Sequence, residues 1–276
     1  MSAARLKFLN RILRFFSGIL EIFRAYTRHE KIIAAIGAGF LMSLAVFCLV
    51  RHPAVAQPAP ADPRVYLSDV CDEMSKQWPS NRTINIVCHG HSVPAGYFKT
   101  PEVRTFDAYP ALMHQALCRR FPYAVINVIV TGIGSENSEG GARRFERDVL
   151  SLRPDVVTID YALNDRRIGL RRSENAWRRM IEMALAWHVK VLLLTPTPDL
   201  SAHLDDPLDP LNEQAGQIRR LAGEYGVGLV DSLASFQEAA RTNGPLADYM
   251  AQGNHPNRRG HELVEAELLK WFPEPQ

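Results

Sequence analysis

Ser92, Asn164 and His255 are three side chains of this 276-residue chain whose types fit one another chemically. Ser92 stands in CHGHS, where an apolar run, INIVC, breaks at a glycine. Asn164 stands in ALND, directly after DVVTIDY. His255 stands in QGNHPN, shortly before the last helical pattern. A fourth break, TGIGSENS at 131–138, is Gly-rich and also follows an apolar run. Together these segments offer a hydroxyl, an imidazole, a side-chain amide and backbone N–H groups. Acyl transfer through a serine needs this set: a nucleophile, a base for its proton, and donors for the oxyanion. Taken singly, each has a plainer reading as a loop serine, a turn-capping Asn or a helix-capping His. Their order along the chain is what joins them.

Such groups must be held by something, and the pattern around them supplies it. Apolar runs at 84–88, 124–130, 155–161, 190–194 and 228–231 read as buried strands. Helical patterns fall between and around them, at 65–79, 108–120, 140–152, from Ser173 through SENAWRRMIEMALAWH, at 209–225, at 232–242 and at 259–271. Ser173 is a plausible helix cap, with Glu174 nearby. Alternating strands and helices imply a mostly parallel sheet covered on both faces. The fold expected is α/β, a flavodoxin-like three-layer αβα sandwich with a central five-stranded sheet. Parallel strands carry their carboxyl ends to one edge, where ligands bind in open α/β sheets. The long Pro- and Asp-rich segment at 196–210 reads as a lid or pocket wall.

A hydrophobic content of 46% is ordinary for a globular chain, and a net charge of +2 does not suggest a nucleic-acid binder. The charge is unevenly placed. Arg5, Lys7, Arg11, Arg14, Arg24, Arg28 and Lys31 precede residues 32–50, a stretch of nineteen uncharged and mostly apolar residues. That length nearly spans a bilayer core, and the one-sided charge sets its amino terminus in the cytoplasm. The expected domains are a basic amphipathic segment at 1–31, a transmembrane signal anchor at 32–50, a Pro/Ala-rich linker at 51–64 and a globular domain at 65–276. The alternative is secretion after cleavage near Ala56. Either way the domain lies on the non-cytoplasmic side, where a Cys71–Cys118 disulfide and free thiols are both open readings.

On these four motifs the chain resembles the SGNH, or GDSL-type, hydrolase superfamily of esterases and lipases, over about residues 80–272. Gly90-His91-Ser92 matches Gly-Asp-Ser and makes Ser92 the nucleophile. The 131–138 turn matches the second motif, with Gly134 or Ser135 where its glycine stands. Ala162-Leu163-Asn164-Asp165 matches Gly-x-Asn-Asp, and Gln252-Gly253-Asn254-His255-Pro256-Asn257 matches Asp-x-x-His-Pro-Asn. The resemblance implies a serine esterase with His255 as base. Its oxyanion hole comprises the N–H groups of Ser92 and of Gly134 or Ser135, together with the Asn164 amide. Three positions depart from pattern: His91 replaces Asp, Ala162 replaces Gly, and Gln252 replaces the Asp that orients the base. A Ser92–His255 dyad follows, with Gln252, a backbone carbonyl or Asp248 as candidate orienting groups, and His91 as a candidate substrate-side donor.

The chemistry expected is hydrolysis of an O-acetyl or short-chain acyl ester through an acyl-enzyme. No metal or organic cofactor is implied. The expected partners are a small-molecule or polysaccharide ester substrate and, through the amino-terminal segment, a membrane. The alternatives are an envelope polysaccharide O-acyltransferase, a lipase or lysophospholipase, and a carbohydrate-binding relative without activity.

Overall fold

The computed structural model describes residues 59–274. The basic leader, the apolar stretch and most of the linker lie outside the described residues. Among those described, no helix is long and apolar enough to cross a membrane.

Five parallel strands form the central sheet in the order β2-β1-β3-β4-β5. They are β1 (Thr83–Gly90), β2 (Val125–Val130), β3 (Val156–Asp160), β4 (Lys190–Leu194) and β5 (Gly228–Val230). Strand burial follows the two-residue period of extended chain on both faces. Ile84, Ile86, Cys88, Leu192 and Leu194 join one apolar cluster. Val87, Val157, Ile159, Val191 and Leu193 join the other. Such a sheet needs a helical layer on each side.

The helices supply both layers. They are α1 (Ser68–Met74), α2 (Ser92–Ala95), α3 (Tyr109–Arg120), α4 (Ser138–Asp148), α5 (Ala162–Asp165), α6 (Leu170–Ala186), α7 (Pro210–Tyr225), α8 (Ser232–Thr242) and α9 (Arg258–Leu269). Tyr109, Met113 and Leu117 of α3 and Val264 and Leu268 of α9 cover the first face. Phe145 of α4 and Ala176, Trp177, Met180 and Ile181 of α6 cover the second. Full burial of each large apolar side chain contributes about 1.5–3 kcal/mol, well above the spread of about 0.7 kcal/mol in helix propensity among ordinary residues. Packing therefore holds these helices in place.

Three features differ from the sequence reading. Helix α6 begins at Leu170, so Ser173 lies one turn inside it. The Ser173 hydroxyl donates back to the Leu170 carbonyl, and Gly169, at φ 76°, makes the reversal into the helix. Ala61 N–H donates to the Val227 carbonyl, so the end of the Pro/Ala-rich stretch packs on the globular unit. Two short strands, β6 (Met250–Gln252) and β7 (His255–Pro256), pair antiparallel around the fourth motif. They are too short to show a period. Cys71, Cys88 and Cys118 are free thiols, so the disulfide reading is set aside.

Candidate active site

The strand order reverses at β1. Its neighbours are β2 on one side and β3 on the other, which makes the crevice at their carboxyl ends the switch point of the sheet. Ser92 leaves the end of β1 and Asn164 leaves the end of β3. Glycines let the segments close up there. A Cβ on Gly90 would sit 2.6 Å from the Asp160 carbonyl oxygen, and one on Gly132 would sit 2.6 Å from that of His91. The second turn therefore lies directly against the serine turn.

Ser92 opens the one-turn helix α2 and is buried. Its Oγ lies 3.0 Å from His255 Nε2, across 163 residues of chain. The β6–β7 hairpin carries His255, and two groups meet its other nitrogen. Gln252 Nε2 is 2.8 Å from Nδ1, and the Phe98 carbonyl oxygen is 3.2 Å from it. Thr100 N–H donates to Gln252 Oε1 at 3.0 Å, which turns the Gln252 NH2 toward the imidazole. The two partners suit opposite tautomers: the amide donates to a bare Nδ1, whereas the carbonyl accepts from Nδ1–H. Only the second leaves Nε2 free to accept the serine proton. Burial pushes the His255 imidazole below its ordinary value, the Phe98 carbonyl opposes this, and His91 adds to it.

Asp248 is not beside His255. It is exposed, and its carboxylate would be the near neighbour of a Cβ on Gly244. Only its backbone carbonyl joins the motif, accepting from Asn257 Nδ2 at 2.9 Å. His91 is likewise not a substrate-side donor. It is fully buried. Its Nδ1 accepts from Val93 N–H at 3.3 Å, so it caps α2 as a carboxylate or amide oxygen would. This accounts for a His standing where the superfamily has Asp.

Ser135 has φ 63°, a left-handed conformation that favours glycine, at the position where the resemblance expects one. A Cβ on Gly134 would meet the Tyr97 hydroxyl at 2.9 Å. The buried Asn164 amide donates to the Glu136 carbonyl at 2.9 Å, joining the second and third motifs and leaving its other hydrogen for a ligand. Beneath them runs a polar network. The Glu136 carboxylate pairs with Arg144 at 2.6 Å and accepts from the Tyr161 hydroxyl at 2.9 Å. His89 lies 3.1 Å from that hydroxyl. Burial first, then Arg144, pushes the His89 imidazole down to about 3, so it stays neutral. Asp165 accepts from Ser138 N–H at 2.8 Å and from Trp177 Nε1 at 2.7 Å, which ties α5 to α4 and α6. The 196–209 segment is tied to the third and fourth motifs by the Arg166–Asp199 pair at 2.7 Å and by Leu200 N–H on the Gly253 carbonyl at 2.7 Å.

The sequence reading left out Phe98, Asp160 and Asp165 as site residues. Phe98 acts through a carbonyl, which no residue type signals. Asp160 closes a strand whose buried positions are otherwise apolar or Thr.

Comparison with known proteins places the chain in a family. Residues 88–263 match the family described as GDSL-like Lipase/Acylhydrolase. An acetylxylan esterase of Geobacillus stearothermophilus is 25% identical over 179 residues, covering 60% of this chain and 79% of that protein. A solved structure of an acetyl xylan esterase from the same organism superposes with a TM-score of 0.61 at 22% identity, covering 70% of this chain and 96% of that one. A structure described as a putative GDSL-like lipase from Parabacteroides merdae gives a TM-score of 0.58 at 18% identity, covering 68% and 95%. The matched span takes in all four motifs, and the chain belongs to the GDSL-like lipase/acylhydrolase family of the SGNH superfamily, as a carboxylic-ester hydrolase.

Proposed function

We propose that this esterase removes O-acetyl or other short acyl groups from a carbohydrate, through a Ser92–His255 dyad and an acyl-enzyme. The 3.0 Å approach of Ser92 Oγ to His255 Nε2 is the observation that carries the reading. His255 Nε2 takes the Ser92 proton as Oγ bonds to the acyl carbon. The imidazolium then gives that proton to the departing alcohol oxygen as the C–O bond breaks. Water repeats the two steps on the acyl-enzyme and frees the acid. The N–H groups of Ser92 and of Gly134 or Ser135, with the spare Asn164 hydrogen, hold the oxyanion. Phe98 accepts from Nδ1–H and keeps the productive tautomer.

The carbohydrate substrate is supported by the acetylxylan esterase relative. The basic leader and the apolar stretch at 32–50 support a membrane-anchored enzyme whose catalytic unit lies outside the cytoplasm. Acetylated xylo-oligosaccharides and p-nitrophenyl acetate are the test substrates, with Ser92→Ala as the control. Acetate release from both by the wild type, and loss of at least about 10³-fold in the variant, is expected. Equal rates for the two proteins would remove Ser92 from the reaction.

A further inference from the structure

The acid missing beside His255 has a counterpart on the other side of Ser92. A second imidazole, that of His91, reaches Ser92 Oγ through Nδ1 at 3.4 Å. Val93 N–H donates to the same nitrogen, so Nδ1 carries a lone pair and Nε2 carries the hydrogen. His91 Nε2 faces Asp160 Oδ1 at 3.4 Å. Both atoms are sealed from solvent and neither makes a hydrogen bond among the described residues, so this 3.4 Å approach is the one polar contact open to each. Asp160 Oδ2 accepts from the Tyr109 hydroxyl at 3.2 Å, which leaves Oδ1 turned to His91. The ladder fixes this juxtaposition, because Gly90 pairs with Asp160 in register at the last position of β1 and His91 follows it.

We propose that Asp160, acting through His91, is the positioning acid of this active site and supplies behind Ser92 the negative charge that Gln252 cannot supply beside His255. The proposal rests on the esterase reading above. When His255 takes the Ser92 proton it becomes a cation in a water-poor pocket. The Phe98 carbonyl orients it but carries no charge, and Gln252 supplies none either. The Asp160 carboxylate lies beyond His91 in the same buried region, where charges are weakly screened. Its field favours the imidazolium and thereby the transition state. The same His91 ring caps α2 by accepting from Val93 N–H, beside the Ser92 backbone. The titratable groups around the dyad, among the described residues, are His91 with Asp160 and Asp165 behind it, the buried His261, and Tyr97, whose ring centroid is 5.8 Å from that of His255.

The test uses the purified full chain on p-nitrophenyl acetate, with wild type, Ser92→Ala, Asp160→Asn and Asp160→Asn combined with Gln252→Asp. Asp160→Asn keeps an acceptor for the Tyr109 hydroxyl and removes the charge. It should lower kcat by about tenfold or more with KM within about twofold. The acid limb of kcat/KM should move to lower pH, because a base that loses a nearby negative charge holds its proton less firmly. Adding Gln252→Asp should recover most of the lost kcat by placing the charge beside His255. Wild-type kcat and an unmoved limb in Asp160→Asn would overturn the proposal. So would a loss of rate with the limb unmoved and no recovery, which marks a structural role. Should Asp160→Asn not fold, His91→Asn keeps an oxygen to cap α2 and cuts the link to Asp160. In that background the further change Asp160→Asn should still move the limb to lower pH, and an unmoved limb would overturn the proposal. Equal rates in wild type and Ser92→Ala would instead remove the esterase reading itself.

Discussion

Ser92 and His255 come from opposite ends of the globular unit and meet at 3.0 Å. The His255 ring is buried against Tyr97 and the serine turn, with Phe98 and Gln252 at its far nitrogen. Burial pushes its imidazole below the ordinary 6.5, against the Phe98 carbonyl and with help from His91. The consequence for rate has a definite sign. In the proposed dyad the base works when unprotonated, so kcat/KM should climb with pH as His255 loses its proton. The acid limb of wild-type kcat/KM on p-nitrophenyl acetate should have its midpoint below 6.5. A midpoint above that value would contradict the environment described. At this scale the sequence was readable where a side chain's type marks it out, as with Ser92 and His255, which the structure brings together. It was not readable where the working group is a carbonyl, as at Phe98. His91 shows a third case: its type suggested a donor to substrate, but burial and the bond from Val93 make it a cap.

At the scale of elements, short structures carry the site and long ones hold them. The one-turn helix α5 presents Asn164, and Asp165 in the same turn fastens it. Trp177, at the buried face of α6, donates to Asp165 Oδ2 at 2.7 Å. Burial pushes the Asp165 carboxyl up to about 6, even with these donors opposing it. Trp177→Phe keeps most of the packing and removes the donor, leaving a buried carboxylate oxygen without a partner. It should destabilise the protein by about 1–3 kcal/mol in urea unfolding. It should also push the Asp165 carboxyl further up. A loss below about 0.5 kcal/mol would mean that the bond does little. The periodic strands and long helices were legible from apolar spacing, because both sheet faces are buried. Helix α2, helix α5 and the β6–β7 hairpin were not, since none is long enough to show a period.

For the molecule as a whole, topology explains how such distant residues converge. The order β2-β1-β3-β4-β5 reverses at β1, and the crevice it opens lies between the segments that carry Ser92 and Asn164. Parallel alternation was legible in the sequence; strand order was not, because periodicity says nothing of which strands pair. The amino-terminal stretch remains a sequence-based proposal with its own test. Deleting residues 1–56 leaves the compact unit that begins at Gln57. That change should move the protein from the membrane fraction to the soluble fraction with kcat on p-nitrophenyl acetate within about twofold, since no residue of the site lies in the deleted part. Recovery of the intact, uncleaved full chain in the soluble fraction would contradict the anchor.

The central claim is that Ser92, activated by His255, carries the acyl group. It is tested most directly by reacting the protein with a fluorophosphonate and mapping the adduct by peptide mass spectrometry. The account predicts a single adduct on Ser92, formed by the wild type and lost or strongly slowed in His255→Ala. An adduct on any other serine, or undiminished labelling of Ser92 in His255→Ala, would contradict it.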